Sequence, residues 1–208
     1  MSNYLAVANV TASLKQVIQE AANVVGGAEV KLGRPENKET SFVGVLIYLY
    51  MIQPNAALSN NNLATRTDDG TLIRLPQSAL DLYYILSFYG DEAKMIPQRL
   101  MGSTICALLA LPVLTRERLR EVTKPDGPYD FLAGSNLYQQ VESVKFTQVY
   151  LDHEDFSKLW SVFLQTPLQL SVIYQASVVL LEPRLEVVKI PPMKKPIINT
   201  DMHKKGDL

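Results

Sequence analysis

Acids, imidazoles and thiols are where chemistry would first be sought, and the sequence offers few of them in useful combinations. Asp152-His153-Glu154-Asp155 has the residue types of a metal site or an acid–base pair. The same residues open a stretch in which Phe156, Leu159, Trp160 and Phe163 recur at helical spacing. Acids at a helix start accept from its unpaired N–H groups and complement its dipole, so this pattern predicts a capped helix from Asp152 to about Gln165. Glu117 and Glu121 are one turn apart among Arg116, Arg118 and Arg120, as on a solvated, ion-paired face. Cys106, the only cysteine, sits in the apolar run ICALLAL and reads as a buried, inert thiol. The second histidine, His203, lies near the end of the chain.

Other chemistries leave still fainter traces. Gly26-Gly27 lacks the Lys-Ser/Thr and the strand-to-helix setting of a phosphate loop. There is no Gly-x-Ser-x-Gly elbow and no Cys-x-x-Cys pair. Tyr48, Tyr50, Tyr83, Tyr84 and Tyr89 have the rings for base stacking but no basic stripe beside them, which favours core and interface packing. Lys194-Lys195 and Lys204-Lys205 read as a solubilising tail. No catalytic residue, metal ligand or cofactor-binding residue emerges. The expectation is a non-enzymatic chain without a cofactor.

Composition agrees with that expectation. Of 208 residues, 47% are hydrophobic and 20% charged, with a formal net charge of −1, so nothing global argues for a nucleic-acid or membrane partner. The length fits one domain with a short appendage, two small domains being the other arrangement it allows. A single cysteine excludes an intramolecular disulfide and points to a cytosolic folding environment. The N-terminal stretch has no basic region followed by an unbroken apolar one, so no signal peptide is expected. The runs Phe42–Ile52 and Ile105–Leu114 are too short to span a bilayer and read as core.

The elements that would position these residues follow from periodicity. Tyr4, Val7, Val10, Leu14, Val17, Ile18, Ala21 and Val25 form the stripe of an amphipathic helix ended by Gly26-Gly27. Ala28–Leu32 reads as a short strand, and Phe42–Ile52 as a long one rich in β-branched and aromatic residues. Gln53–Pro76 shows no period and reads as a long irregular connection, with Asp68-Asp69-Gly70 as an alternative hairpin tip. Ala79–Tyr89 alternates as a second long strand with one face clearly apolar. A helix is expected over about Asp91–Leu111, with Pro97 near its start or kinking it, then a short helix Thr115–Val122 capped by Thr115. Lys124–Asn136 is loop, Val141–Leu151 a third strand and Leu168–Leu181 a fourth. This order predicts an α+β fold over residues 1–182, a mainly antiparallel sheet with helices packed against one face.

Residues 183–208 change character. They hold four of the twelve prolines and six basic against three acidic side chains, a net of +3, whereas the rest of the chain carries −4. The segment is expected to be an extended C-terminal arm, with Leu185, Val187, Val188, Ile190, Ile197 and Ile198 available to dock on something.

Several short motifs in order carry a resemblance. They are Leu49-Tyr50 with Asn55 and Asn60, Leu75-Pro76, Leu80-Asp81-Leu82-Tyr83-Tyr84-Ile85-Leu86-Ser87-Phe88-Tyr89-Gly90 and Gln98-Arg99-Leu100-Met101-Gly102. Phe156-Ser157-Lys158-Leu159-Trp160, Thr166-Pro167 and Leu170-Ser171-Val172-Ile173-Tyr174 continue them. Together they resemble the cap, or tail-terminator, proteins of extracellular contractile injection systems of the antifeeding-prophage and virulence-cassette type. Tyr83 and Gln98 depart from that pattern, standing where histidine is common. The resemblance implies a tail-terminator-like α+β subunit, six copies of which form a ring on the tube end distal to the baseplate. The ring would stop tube growth and anchor the last sheath ring. The implied partners are further copies of this chain, the tube protein and the sheath protein. The implied setting is a phage tail-like particle assembled in the bacterial cytoplasm and released with that particle. A baseplate or cargo-loading adaptor of the same kind of particle is the alternative. Gln53–Pro76 and Pro183–Leu208 are the segments expected to make much of the contact.

Overall fold

The two longest strand-forming runs pair with each other. β2 (Gly44–Pro54) and β5 (Ser78–Tyr89) are antiparallel from Gly44 opposite Tyr89 to Pro54 opposite Leu80, with one extra residue in β2 between Leu49 and Met51. The computed structural model describes residues 2–35, 42–63, 65–66, 72–125, 127–163 and 166–183. The C-terminal arm beyond Pro183 lies outside the described residues.

β5 pairs on its other side with β7 (Ser171–Leu181), also antiparallel, and β7 pairs with β6 (Lys145–Val149). β1 (Glu29–Leu32) joins β2 in parallel, giving a five-stranded mixed sheet in the order β1-β2-β5-β7-β6. Gly44 is where β1 comes closest to β2. A methyl group there would lie 1.8 Å from the carbonyl oxygen of Glu29, so only glycine admits this pairing.

α1 (Ala6–Ala22) lays the predicted stripe on the sheet. Val10, Leu14 and Ile18 are buried against Val45 and Ile47 of β2 and Leu82, Tyr84, Leu86 and Phe88 of β5. The polar exceptions on that helix are satisfied. Buried Asn9 donates to Ser135 Oγ (2.9 Å) and accepts from Ser13 Oγ (3.2 Å), and Thr11 Oγ1 lies 2.8 Å from the Tyr84 hydroxyl. Burial pushes that phenol far above its usual range, the hydrogen bond to Thr11 opposing the shift.

α2 (Ile96–Ala110) packs beside α1, and α3 (Arg116–Glu121) starts at Thr115, whose hydroxyl accepts from the Arg118 N–H (3.3 Å). Asp91–Leu111 is not one helix as the pattern predicted. Glu92–Lys94 makes a single 3-10 turn, Met95 is left-handed (φ 53°), and α2 begins after it with Pro97 in the first turn, where no helical hydrogen bond is lost.

The expectation of helices on one face also needs correcting. α4 (His153–Ser161) lies on the opposite side, where Trp160 and the following Phe163 are buried with Ile85 and Ile173 and flanked by Tyr48 and Tyr50. β5 is therefore buried on both faces, and the alternation that marked one face as apolar understated the other. Gln53–Pro76 is likewise more ordered than predicted. β2 runs on to Pro54, a kinked 3-10 segment spans Ala56–Asn62, and β3 (Thr65–Arg66) pairs antiparallel with β4 (Leu72–Arg74). An antiparallel pair is what the hairpin alternative calls for, while Asp68-Asp69-Gly70, its expected tip, lies outside the described residues.

Gly44→Ala is expected to destabilise the chain by about 3 kcal/mol, because a methyl group overlaps backbone and not a movable side chain. A denaturant midpoint equal to that of the unsubstituted chain would contradict the close approach of β1 and β2.

Candidate assembly surfaces

A helix lying on a protein surface ordinarily turns charge to water. α2 does not. No charged residue occurs between Arg99 and Arg116. The helix nevertheless buries only one side, through Pro97, Leu100, Thr104 and Leu108, and Ser103 Oγ ties it to the Ala21 carbonyl of α1 (2.7 Å). Its other side presents Gly102, Cys106, Leu109 and Ala110 outward, with Leu109 73% exposed and Met95 at the helix start 62% exposed. Leu111 and Val113 extend the apolar strip past the helix end. Cys106 is thus an exposed thiol and not a buried one, and the run Ile105–Leu114 is core on one side only. The sequence signal was present in the missing charges. An apolar run does not say whether its own chain or another covers it.

The segment after β2 is anchored at its root. Asn55 N–H donates to the Ala79 carbonyl (2.8 Å). Its side-chain amide donates to both carboxylate oxygens of buried Asp81 (2.9 and 3.1 Å). The Asn55 side-chain oxygen accepts from the Leu58 N–H (3.1 Å), and Leu58 packs on Ala79, Val178 and Leu180. On either side of that root Ile52, in β2, and Leu63 are exposed.

The residues weighed for chemistry are not brought together. Asp152 accepts from the Asp155 N–H (2.7 Å), and Glu154 pairs with Lys158 (2.6 Å) along α4, a capped and ion-paired helix start. Arg118 leaves its acidic neighbours on α3 for Glu20 of α1 (2.5 Å), and that hydrogen bond raises the guanidinium above its usual value. Tyr48 meets Phe163 edge-on (5.9 Å between ring centres) and Tyr50 meets Tyr83 (6.3 Å). Burial, with the neighbouring ionisable group adding to it, raises both Tyr50 and Tyr83. These rings pack against one another and against α4. Among the described residues there is no group of three or more His, Cys, Asp or Glu placed to hold a metal ion, and no helix long and apolar enough to cross a membrane.

With the geometry in place, comparison with known proteins adds a family. The Pvc16 N-terminal domain family matches residues 9–195. Among solved structures, the fold is similar to a sheath/tube terminator of the extracellular contractile injection system PVC in its extended state. That match has a TM-score of 0.60 and 12% identity, covering 91% of this chain and 61% of the other. It is also similar to the tube-terminating cap of the anti-feeding prophage, with a TM-score of 0.52 and 13% identity, covering 86% of this chain and 57% of the other. The chain therefore spans less than two thirds of the length of either neighbour. No curated protein matches significantly.

A thiol reagent is expected to label Cys106 in the native chain without denaturant, at a rate within about tenfold of the unfolded chain. A thiol that reacts only after unfolding would refute the outward placement of this face of α2.

Proposed function

Since the chain belongs to the Pvc16 N-terminal domain family, we propose that it is a non-enzymatic cap subunit of a contractile injection system. Copies of it form a ring, six in number, that ends the inner tube and anchors the last sheath ring at the end distal to the baseplate. The observation that carries this reading is the uncharged outward face of α2 beyond Arg99 in its first turn, built around Gly102, Cys106 and Leu109. Contiguous exposed apolar surface is costly in an isolated chain and is characteristic of a contact region. A closed ring needs each subunit to offer a neighbour a complementary surface, and α2 supplies one half of it. The anchored segment Gln53–Pro76 and the arm Pro183–Leu208 add contacts to tube, sheath or neighbouring copies, and the arm's net charge of +3 suits it to the acidic remainder of the chain. Such a subunit works within a phage tail-like particle. It requires no metal or cofactor, because shape and symmetry do the work.

Native mass spectrometry of the full chain should show a six-fold species. Leu109→Glu should remove that species while changing the stability of the single subunit by no more than about 0.5 kcal/mol, as expected of a surface position. Capping, read as tube length in particles assembled with the variant, should fail in parallel. Rings that persist with Leu109→Glu would sink the role of α2. A chain that stays monomeric at every concentration, alone and with tube protein, would sink the cap reading. Deleting both Gln53–Pro76 and Pro183–Leu208 should also disrupt capping, and intact capping after that deletion would remove those segments from the account.

A further inference from the structure

A strand at the end of a sheet leaves a row of N–H and C=O groups free to pair with another chain. In β1 the Glu29 N–H donates to the Val43 carbonyl and the Gly33 N–H to the Ile47 carbonyl, so Ala28 C=O and Val30 N–H face away from β2. Both are taken by one side chain of α1. Gln19 Nε2 donates to the Ala28 carbonyl (3.1 Å) and Gln19 Oε1 accepts from the Val30 N–H (2.8 Å). A carboxamide carries the same donor and acceptor as a peptide group, so Gln19 occupies the hydrogen-bonding place of one residue of a sixth strand.

The same substitution occurs once more in the sheet, in a different setting. β6 pairs with β7 only as far as Ser177, and the outward groups beyond are held by Gln140, which donates to the Val178 carbonyl (2.8 Å) and accepts from the Leu180 N–H (2.9 Å). There the edge is also closed by bulk. Gln140 is buried, and the Ser2 carbonyl accepts from the Glu182 N–H while its hydroxyl donates to the Leu180 carbonyl.

At β1 the cover is partial: α1 packs beside the strand and Val30 is buried, but Gln19 itself is only half-buried. A cleft of about 720 Å³ runs beside Val30 and Gln19, floored by Ala12 and Val122 and walled by Gln16 and Tyr129. Along α1 from Ala12 to Asn23 it extends for about 16 Å, room for about five residues of extended chain. The Gln19 hydrogen bonds hold the two backbone groups that an incoming strand would need. Glu29 and Lys31, ion-paired across the short strand (2.9 Å), add the charge typical of guarded edges.

We propose that Gln19 guards the β1 edge, its carboxamide standing in for a neighbouring strand so that a second copy of this chain cannot extend the sheet there. The role is independent of the cap reading, since it concerns an unwanted contact and not the working one. Its signature is a contrast between the two glutamines. Gln19→Met and Gln19→Ala remove the bonds beside an open cleft, where water can serve the freed groups, so the subunit keeps its fold but adds copies through β1. Gln140→Met leaves two groups unpaired in a closed site, so it destabilises without changing association.

The test is sedimentation velocity of the full chain and each variant at matched concentration, with hydrogen exchange at Val30 and a denaturation curve. The expected result is species larger than those of the unsubstituted chain for both Gln19 variants only. In dilute samples, where copies are apart, Val30 exchange in those variants should quicken by about tenfold or more. Gln140→Met should show a lowered denaturation midpoint and an unchanged size distribution. Gln19 variants that sediment like the unsubstituted chain, or that leave Val30 exchange unchanged, overturn the proposal. So does a Gln140→Met variant that associates as they do, because the effect would then belong to any loosened sheet.

Discussion

Strand β5 is the constraint to which the rest of the structure answers. It is hydrogen-bonded along both edges, to β2 and to β7, and its side chains are buried on both faces over most of its length. A strand so placed has no solvent to satisfy its backbone, so its neighbours must pair with it continuously. It also has two apolar faces to cover. Leu82, Tyr84, Leu86 and Phe88 take α1 and α2, while Ile85 takes α4 with Trp160 and Phe163. Two layers of helix on opposite sides of one sheet follow from that single strand.

Pairing β5 on both sides pushes the sheet's open edges out to β1 and β6, and each is handled by local chemistry. Val113 makes an isolated antiparallel bridge to Lys145, and the Phe146 N–H donates to the Pro112 carbonyl, so the loop after α2 lies along β6. That contact links the edge of the sheet to the apolar strip on α2, because Pro112 and Val113 continue that strip. β2 outruns β1 by several residues, and from Leu49 onward no described strand lies on its outer side. The stretch that overhangs is the one leading into the Asn55 anchor. Uncovered, non-charged surface therefore includes the outer side of α2 and the end of β2.

How much of this could be read from the residues depended on whether the signal was local. The stripe of α1, the alternation of β5 and the Thr115 and Asp152 caps are statements about neighbours in sequence and are present in the structure, whereas α1 ends at Ala22 with Asn23 as its cap, short of Gly26-Gly27. Phe42–Ile52 and Leu168–Leu181 held as strands but shifted at their ends, since pairing partners and not propensity set where a strand stops. The break at Met95 was hidden because Asp91 offers a good cap, and the left-handed residue that follows carries no glycine to mark it. The second layer was missed because Ile85 alternates with polar and aromatic residues whose burial depends on Trp160, 75 positions further on. Cys106 was misplaced for a related reason: hydrophobicity reports a need for cover, not the identity of the cover. The glutamines at the edges had no sequence signal at all, since Gln19 is simply a polar residue on a helix until β1 is beside it.

The two kinds of surface make sense only together. A subunit that must meet copies of itself repeatedly cannot be uniformly inert, and it cannot be uniformly adhesive. Beyond Arg99 α2 carries no charge, whereas α3 and α4 carry ion pairs to Glu20, Glu154 and Asp155. β1, by contrast, has the apolar room and the free backbone of an adhesive edge, and withholds it with one carboxamide and one ion pair. Side-chain burial provides attraction that is broad and tolerant of small misfit, whereas backbone pairing is directional and propagates without limit from one copy to the next. A closed assembly is better served by the first than by the second. On the proposed cap reading, the attraction of α2 and the guarded β1 edge serve one end: a subunit that joins a fixed number of neighbours and then stops.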